Sequence, residues 1–322
     1  MTVSLVQQIL RRRDETLVLF DVGTSAGLFA PFAPLLPIAV YVGFDADFVG
    51  TQAARRAKRS LLLQNLIHEP EAGQSVSLFI TRNPTSSSTL EPNADRVRHY
   101  AFSHRFDVMR TETMTAKTLD AVLDENQLER IDWLKMDTQG TDLRIALSLS
   151  PARFAQLLCV DVEPGFDDYY RGEDTFAPTH RELTARGFFL AHAMVQGAPR
   201  ISRTAAEARL GLGSRLGRYL AEMTLPTSPT AIEARYLRTV ESMDGAPPAM
   251  WLRLYACAAA SGLHGYALEV ADGLCRAHPT EAAGPELLQA AQRRARRHVL
   301  LNAWRLWQRV SPAKIRRFLK GG

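Results

Sequence analysis

The strongest constraint on this chain is an alternation in which short apolar runs close on an acid and give way to helix-forming stretches. Leu17-Val18-Leu19-Phe20 ends at Asp21 and is followed by Gly23 and Gly27; Ala39-Val40-Tyr41-Val42-Gly43-Phe44 ends at Asp45. Runs this short and this continuously apolar suit strands covered on both faces. A helix is predicted after each, over about 26–36 and over about 49–66, where Ala and Arg dominate, and a third strand at Ser75 to Thr81. Strand, helix, strand, helix, strand specifies a parallel sheet with right-handed crossovers.

The pattern continues. Asn83-Pro84-Thr85-Ser86-Ser87-Ser88 is a loop by composition, and an extended piece near Phe106 to Thr113 leads to a helix over about 119–128. The strand Ile131 to Met136 ends at Asp137, with Gly140 turning the chain into a helix; Leu157 to Val162 reaches Glu163. A helix over about 178–186 leads through Gly187 to Phe188-Phe189-Leu190-Ala191, where the sheet is expected to end. In open α/β sheets the carboxyl ends of the strands form the ligand crevice, so these terminal acids mark the candidate site.

A length of 322 residues suits two domains, and 46% hydrophobic with 23% charged residues suffices to build a core. The expected division is an N-terminal helix over 1–16, an α/β domain over 17–203, a linker over 204–229 containing the Pro-rich break at 225–230, and a helical region over 230–322. The fold class is thus α/β, a Rossmann-like sheet flanked by helices, with a C-terminal all-α region. Trp251, Leu254, Gly262, Ala267 and Pro279 have the spacing of one tetratricopeptide helix hairpin. Since a solenoid needs about three repeats, the segment is read as a single helix pair.

Cys159, Cys257 and Cys275 are odd in number and form no C-x-x-C pair, which disfavours a disulfide framework and a zinc ribbon and points to a reducing cytoplasm. Arg11-Arg12-Arg13 follows rather than precedes an apolar stretch, unlike a secretory signal, and no run of about eighteen apolar residues suggests a membrane span. The net charge of +5 is concentrated at the C-terminal end, where Arg293, Arg294, Arg296, Arg297, Arg305, Arg309, Arg316 and Arg317 accompany Leu300, Leu301, Trp304, Leu306, Trp307 and Val310. An ordinary packing helix with a solvated basic face accounts for this tail; peripheral contact with the inner face of a membrane, or with an acidic protein, is the second reading. Nucleic acid ranks last, because no known binding module is present.

Asp21-Val22-Gly23-Thr24-Ser25-Ala26-Gly27 is a D-x-G-x-x-x-G turn, not the G-x-G-x-x-G that bares amides to a dinucleotide's phosphates. An acid here suits a ligand bearing an ammonium group, although a plain strand-to-helix turn capped by Asp21 explains the same residues. Asp45, at the end of the second strand, stands where a Rossmann fold hydrogen-bonds ribose hydroxyls. The pair does not by itself separate a nucleoside methyl donor from NAD; the glycine pattern favours the former.

Taken in order, DVGTSAG, VGFDAD, NPTSSSTLEPN, TLDAVLDENQLERIDWLKMDTQGTD and VDVEPGFDDYYRG followed by GFFL resemble the FkbM-type methyltransferases over about 17–190. The resemblance implies a class I methyltransferase sheet and S-adenosylmethionine as cofactor. Asp21, Gly23, Thr24, Ser25 and Gly27 would belong to its turn, with Asp21, Gly23 and Gly27 lining the methionine end. Asp45 would hold the ribose, and Thr81 and Asn83 would lie near the adenine.

The resemblance further implies O-methylation of a hydroxyl on a sugar, polysaccharide or secondary metabolite. Such a hydroxyl must lose its proton, so a base or a divalent metal beside it is needed. Asp137 and Glu163, at neighbouring strand ends, are the candidate catalytic acids, with capping or loop-satisfying roles as the alternative for each; no metal ligand is assigned. Relatives commonly carry Asn where this chain has Ser25 and Glu where it has Gln139. Tyr169, Tyr170 and Arg171 are candidates for an acceptor rim, and His104 and His180 for substrate-side histidines. A nicotinamide-dependent oxidoreductase and a non-catalytic interaction module are the competing readings; Gln139 favours the second of these.

Overall fold

Chain connectivity around the sheet explains where the ligand crevice lies. The computed structural model describes residues 2–23, 27–44, 53–70, 73, 75–211 and 213–309. Thr24, Ser25 and Asp45 lie outside them, as does the tail from 310 onward. The chain divides into two units, 16–242 and 1–15 with 243–322.

The first unit follows α1 (Thr2–Arg12). Its first strands are β1 (Leu17–Val22), β2 (Ala39–Phe44), β3 (Arg59–Leu63), β4 (Leu66–Ile67) and β5 (Ser75–Thr81). After these come α2 (Ala94–Val97), β6 (Val108–Lys117), α3 (Leu119–Glu125), β7 (Trp133–Met136), α4 (Asp142–Leu147), α5 (Pro151–Gln156) and β8 (Cys159–Val162). The unit closes with α6 (Phe176–Ala185), β9 (Phe188–Ala198), α7 (Arg203–Leu210), α8 (Arg215–Thr224) and β10 (Ser228–Arg238).

Seven strands form the main sheet in the order β3-β2-β1-β7-β8-β10-β9. The first five run parallel, and β10 is antiparallel to both of its neighbours. Every residue of β1 is buried, because it lies at the centre with both faces covered. The register aligns Val22 with Phe44 and with Met136, so β1, β2 and β7 end at one level. This is the Rossmann-like sheet expected from the sequence, with four local differences.

The predicted helix over 26–36 is replaced by two short 3-10 turns at Ala30–Phe32 and Leu36–Ile38. Pro31, Pro34 and Pro37 remove donors and obstruct the preceding turn at every third residue, which an α-helix cannot absorb. The described part of the predicted second helix is a 3-10 turn at Ala53–Arg56 followed by β3, since Leu61, Leu62 and Leu63 find backbone partners in β2. Ser75–Thr81 is a strand, but it pairs antiparallel with β6 in a separate three-stranded sheet of order β4-β6-β5.

The fourth difference moves a boundary. The sheet does not end near 191: β10 enters between β8 and β9, so the stretch expected to be linker and helical region completes the α/β unit. Pro229 is accommodated because it sits at a register shift between β10 and β9. In β10, Arg235 Nε donates to both oxygens of Asp161, at 2.9 and 3.1 Å, and its guanidinium lies 4.9 Å from the Trp133 ring. Trp133 Nε1 donates to Asp161 Oδ2 at 2.6 Å. Burial raises the Asp161 pKa against the lowering effect of Arg235, so β7, β8 and β10 are joined through one buried ion pair.

The second unit contains α1 with α9 (Pro248–Ala260), α10 (His264–Ala277) and α11 (Ala283–Arg309). The helix pair anticipated around Trp251 to Pro279 is α9 and α10, and α1 packs against α9 and α11. Arg253 in α9 pairs with Glu15 at 3.2 Å, and Arg13 pairs with Glu281, so the N-terminal helix belongs with the C-terminal ones.

Removing Arg235 leaves Asp161 buried beside an apolar replacement, a change that costs roughly 3–5 kcal/mol when one partner of a buried pair is lost. Arg235→Met is expected to lower the unfolding free energy of the α/β unit by an amount in this range, obtained from urea unfolding followed by tryptophan fluorescence.

Candidate functional site

Asp21 is fully buried at the end of β1. Its Oδ2 accepts from the Tyr41 hydroxyl at 3.1 Å and from the Phe29 amide at 3.2 Å, while Oδ1 lies 3.3 Å from Lys135 Nζ. Burial raises its pKa more than Lys135, Phe29 and Tyr41 lower it. The lysine also donates to Gly23 O at 2.8 Å and Val22 O at 3.3 Å. Asp21 therefore ties the end of β1 to β2, to β7 and to Phe29. Its carboxylate is engaged by protein groups, in contrast with the ammonium contact expected from the sequence.

Gly23 has φ of +81°, and a Cβ there would come within 2.5 Å of Asp137 O. Its amide donates to Phe44 O at 3.2 Å, and the Asp137 amide donates to Val22 O at 3.1 Å. The turns after β1 and β7 thus touch through backbone, an approach that only glycine permits. Gly27 also has positive φ, at +93°.

Two clefts open at this edge of the sheet. The first is lined by Val22, Gly23, Phe44, Ile67, Leu78 and Met114 on its apolar side, and by Ser88, Thr89, Asp137, Thr138 and Gln139 on its polar side. The second is lined by Phe102, Phe106, Tyr169 and Tyr170 together with Asn83, Arg105, Glu163, Glu173 and Gln196. Gln139 lines both.

At that junction Gln139 holds φ of +57°, and its amide Nε2 donates to Asp137 Oδ1 at 2.6 Å. Its Oε1 lies 3.0 Å from the Tyr170 hydroxyl, which also reaches Ser86 O at 2.8 Å, and Ser88 Oγ donates to its backbone carbonyl at 2.7 Å. Asp137 and Glu163 occupy neighbouring strand ends, as the sequence indicated, but on different clefts. Asp142 bridges the two turns: its Oδ1 accepts from the Thr138 amide at 3.0 Å and its Oδ2 from the Glu163 amide at 2.8 Å.

Glu163 Oε1 accepts from Gln196 Nε2 at 2.7 Å. Burial, followed by the charges of Asp137, Asp142 and Glu233, pushes the Glu163 carboxyl from 4.5 up to about 8. Glu173, which accepts from the amides of Gly165, Tyr169 and Tyr170, is raised by burial to about 7. The second cleft thus combines aromatic faces with two carboxyl groups titrating near neutrality.

The remaining candidates fall in different places. Thr81 is buried and donates to Asn83 O at 2.7 Å, and Asn83 lines the second cleft; the loop meets the first cleft through Pro84, Thr85, Ser87, Ser88 and Thr89. Tyr169 and Tyr170 line the second cleft, but Arg171 turns to Glu91 at 3.2 Å. His180 stacks on Phe176 and bonds the Tyr236 hydroxyl at 3.2 Å; neither it nor His104 is among the residues lining these two clefts. Among the described residues no group of three or more His, Cys, Asp or Glu side chains is disposed to hold a metal ion. Lys135 and Asp142 were missed; a lone lysine within the apolar strand Trp133–Met136 was the available signal for the first.

A sheet of this order with a cleft at the ends of β1, β2 and β7 defines the class as Rossmann-like α/β, the architecture that class I methyltransferases share. Residues 45–190 match the family model described as the methyltransferase FkbM domain. No curated protein and no solved structure matches the chain.

Because the folded Glu163 carboxyl titrates above its ordinary value, its protonated form is favoured by folding. The associated stability is complete below about pH 4.5 and is lost as pH rises through about 8. Between about pH 5 and pH 9 the wild type is expected to lose on the order of 2 kcal/mol relative to Glu163→Gln, measured by urea unfolding.

Proposed function

We propose that the protein is an S-adenosylmethionine-dependent O-methyltransferase whose acceptor is a hydroxyl of a sugar, a polysaccharide or a secondary metabolite. The observation that carries this reading is the meeting of two chemically different clefts at Gln139. The first has apolar walls suited to a nucleoside base and a polar end at Asp137 suited to a cationic amino-acid group. Gly23 lines this cleft and lets the turns after β1 and β7 meet at its floor. Asp45 follows Phe44, which lines this cleft, and is the proposed ribose ligand.

The cofactor, when bound, supplies an electrophilic methyl group on a sulfonium. The protein's residues then have three tasks. Aromatic faces in the second cleft hold the acceptor ring, since Phe106 and the two tyrosines offer flat apolar surfaces. Glu163, as carboxylate, takes the proton that the attacking hydroxyl loses; its raised pKa makes it a stronger base than an ordinary carboxylate. Gln139 holds Asp137 by a donated hydrogen bond, leaving Asp137 Oδ2 for the cationic part of the cofactor. A glutamate at 139 would set two carboxyl groups in contact, whereas the amide gives Asp137 a hydrogen-bond donor. With its three cysteines unpaired, the protein suits a reducing cytoplasm. No helix among the described residues is long and apolar enough to cross a membrane.

Calorimetric titration should give micromolar binding of S-adenosylhomocysteine, lost in Asp45→Ala, and no binding of NAD. Absence of binding in the wild type favours an interaction module, and NAD binding favours an oxidoreductase. With an acceptor in hand, kcat should rise with pH through about 8 and level off above it. Glu163→Gln should remove that rise and lower kcat by about 10²–10⁴-fold with cofactor affinity retained, a range common for loss of a general base.

A further inference from the structure

We propose that helix α8 is an interfacial element that seats the α/β unit on an anionic lipid surface beside the second cleft. Helices α7 and α8 form a hairpin between β9 and β10, and both begin with a serine cap: Ser202 Oγ accepts from the Ala205 amide at 3.2 Å and Ser214 Oγ from the Gly217 amide at 3.0 Å. The local structure is that of a well-formed helix. Its sidedness, however, is inverted relative to a helix of a water-soluble surface.

The small residues Gly217 and Ala221 face inward and are buried, whereas Leu216, Tyr219, Leu220 and Met223 are 67%, 59%, 46% and 66% exposed. The exposed set has the spacing i, i+3, i+4, i+7, which is one continuous stripe. A helix whose apolar face packs on its own core would bury the large side chains and expose the small ones. Leu210, at the end of α7, adds another exposed apolar side chain.

Charge around the stripe identifies the surface it meets. Both acids of the hairpin are engaged: Glu207 with Arg203 at 3.0 Å and Arg218 at 3.2 Å, and Glu222 with Arg105 at 2.6 Å. Arg209 and Arg215 are exposed and have no acidic partner among the described residues. A large apolar stripe flanked by arginines suits a helix lying in the plane of an anionic bilayer, with Tyr219 at the headgroup level.

The stripe is coupled to the site. Arg105 lines the second cleft, and the segment Ala101–Phe106, which also carries Phe102 and Phe106 into that cleft, packs against both α7 and α8. A lipid surface held by α8 therefore lies next to the proposed acceptor position, and a membrane-borne acceptor hydroxyl can enter from it. This last step rests on the methyl-transfer reading; the lipid contact does not.

Co-sedimentation of the full chain with phosphatidylcholine vesicles, with and without phosphatidylglycerol, tests the contact without any methyl transfer. Binding to the anionic vesicles is expected. It should fall about tenfold or more in the combined variant Leu216→Ser, Tyr219→Ser and Met223→Ser, with the basic C-terminal tail retained and folding checked by circular dichroism. Arg209→Gln with Arg215→Gln should remove the preference for phosphatidylglycerol. Failure of the wild type to sediment overturns the proposal. So does equal sedimentation of the serine variant, which would place the contact elsewhere, or a change only in its oligomeric state, which would make the stripe a contact between protein chains.

Discussion

The buried pairing of Asp21 with Lys135 is the interaction on which the rest of the site depends. It lies where β1, β2 and β7 end together: Asp21 comes from β1, its hydroxyl partner Tyr41 from β2, and Lys135 from β7. The same carboxylate accepts from the Phe29 amide. A carboxylate out of water is unfavourable, and these contacts offset part of that cost, although burial still raises its pKa. The lysine then donates its remaining protons to the carbonyls of Val22 and Gly23, carrying the order of the strand ends into the cleft floor.

With the floor fixed, the difference between the acids becomes intelligible. Asp21, Asp142 and Asp161 hold backbone or neighbouring side chains and serve the framework. Glu163 has a single side-chain donor in Gln196 and three acidic neighbours, so its charged form is poorly supported. An acid whose surroundings leave it close to neutrality can exchange a proton, whereas one held by several donors cannot do so without disturbing the fold. Gln139 separates the two regimes: it donates to Asp137 on one side and meets the Tyr170 hydroxyl on the other.

The aromatic cluster around Tyr100, Phe102, Phe106, Tyr169 and Tyr170 adds a second organising element. Tyr100 and Phe102 stack at 5.0 Å, and Phe106 lies 5.5 Å from Tyr170. These rings come from two segments about seventy residues apart in the chain, and they wall the second cleft. Their mutual packing keeps that wall rigid. The α7–α8 hairpin packs on the outside of the same segment, so whatever α8 contacts lies next to the cleft wall.

Much of the framework was legible in local sequence. Apolar runs closing on Asp21, Asp137 and Glu163 identified strands and the level at which they end, because burial on both faces leaves a short signature and the polar terminus marks emergence from the core. The glycine at 23 was legible for the same reason: a turn squeezed between strands admits no side chain. Other features had no local signal. Leu61 to Leu63 became a strand since β2 offered an open edge, and Ser75–Thr81 joined another sheet because β6, more than thirty residues later, was its partner. The sequence by itself determined a Rossmann-like sheet and the acids at its rim. Tertiary structure alone decided which acids line the clefts and which hold the frame, that Lys135 pairs with Asp21, and that β10 completes the sheet. Strand identity follows from neighbouring residues, but pairing and desolvation depend on groups that meet only when distant segments fold together.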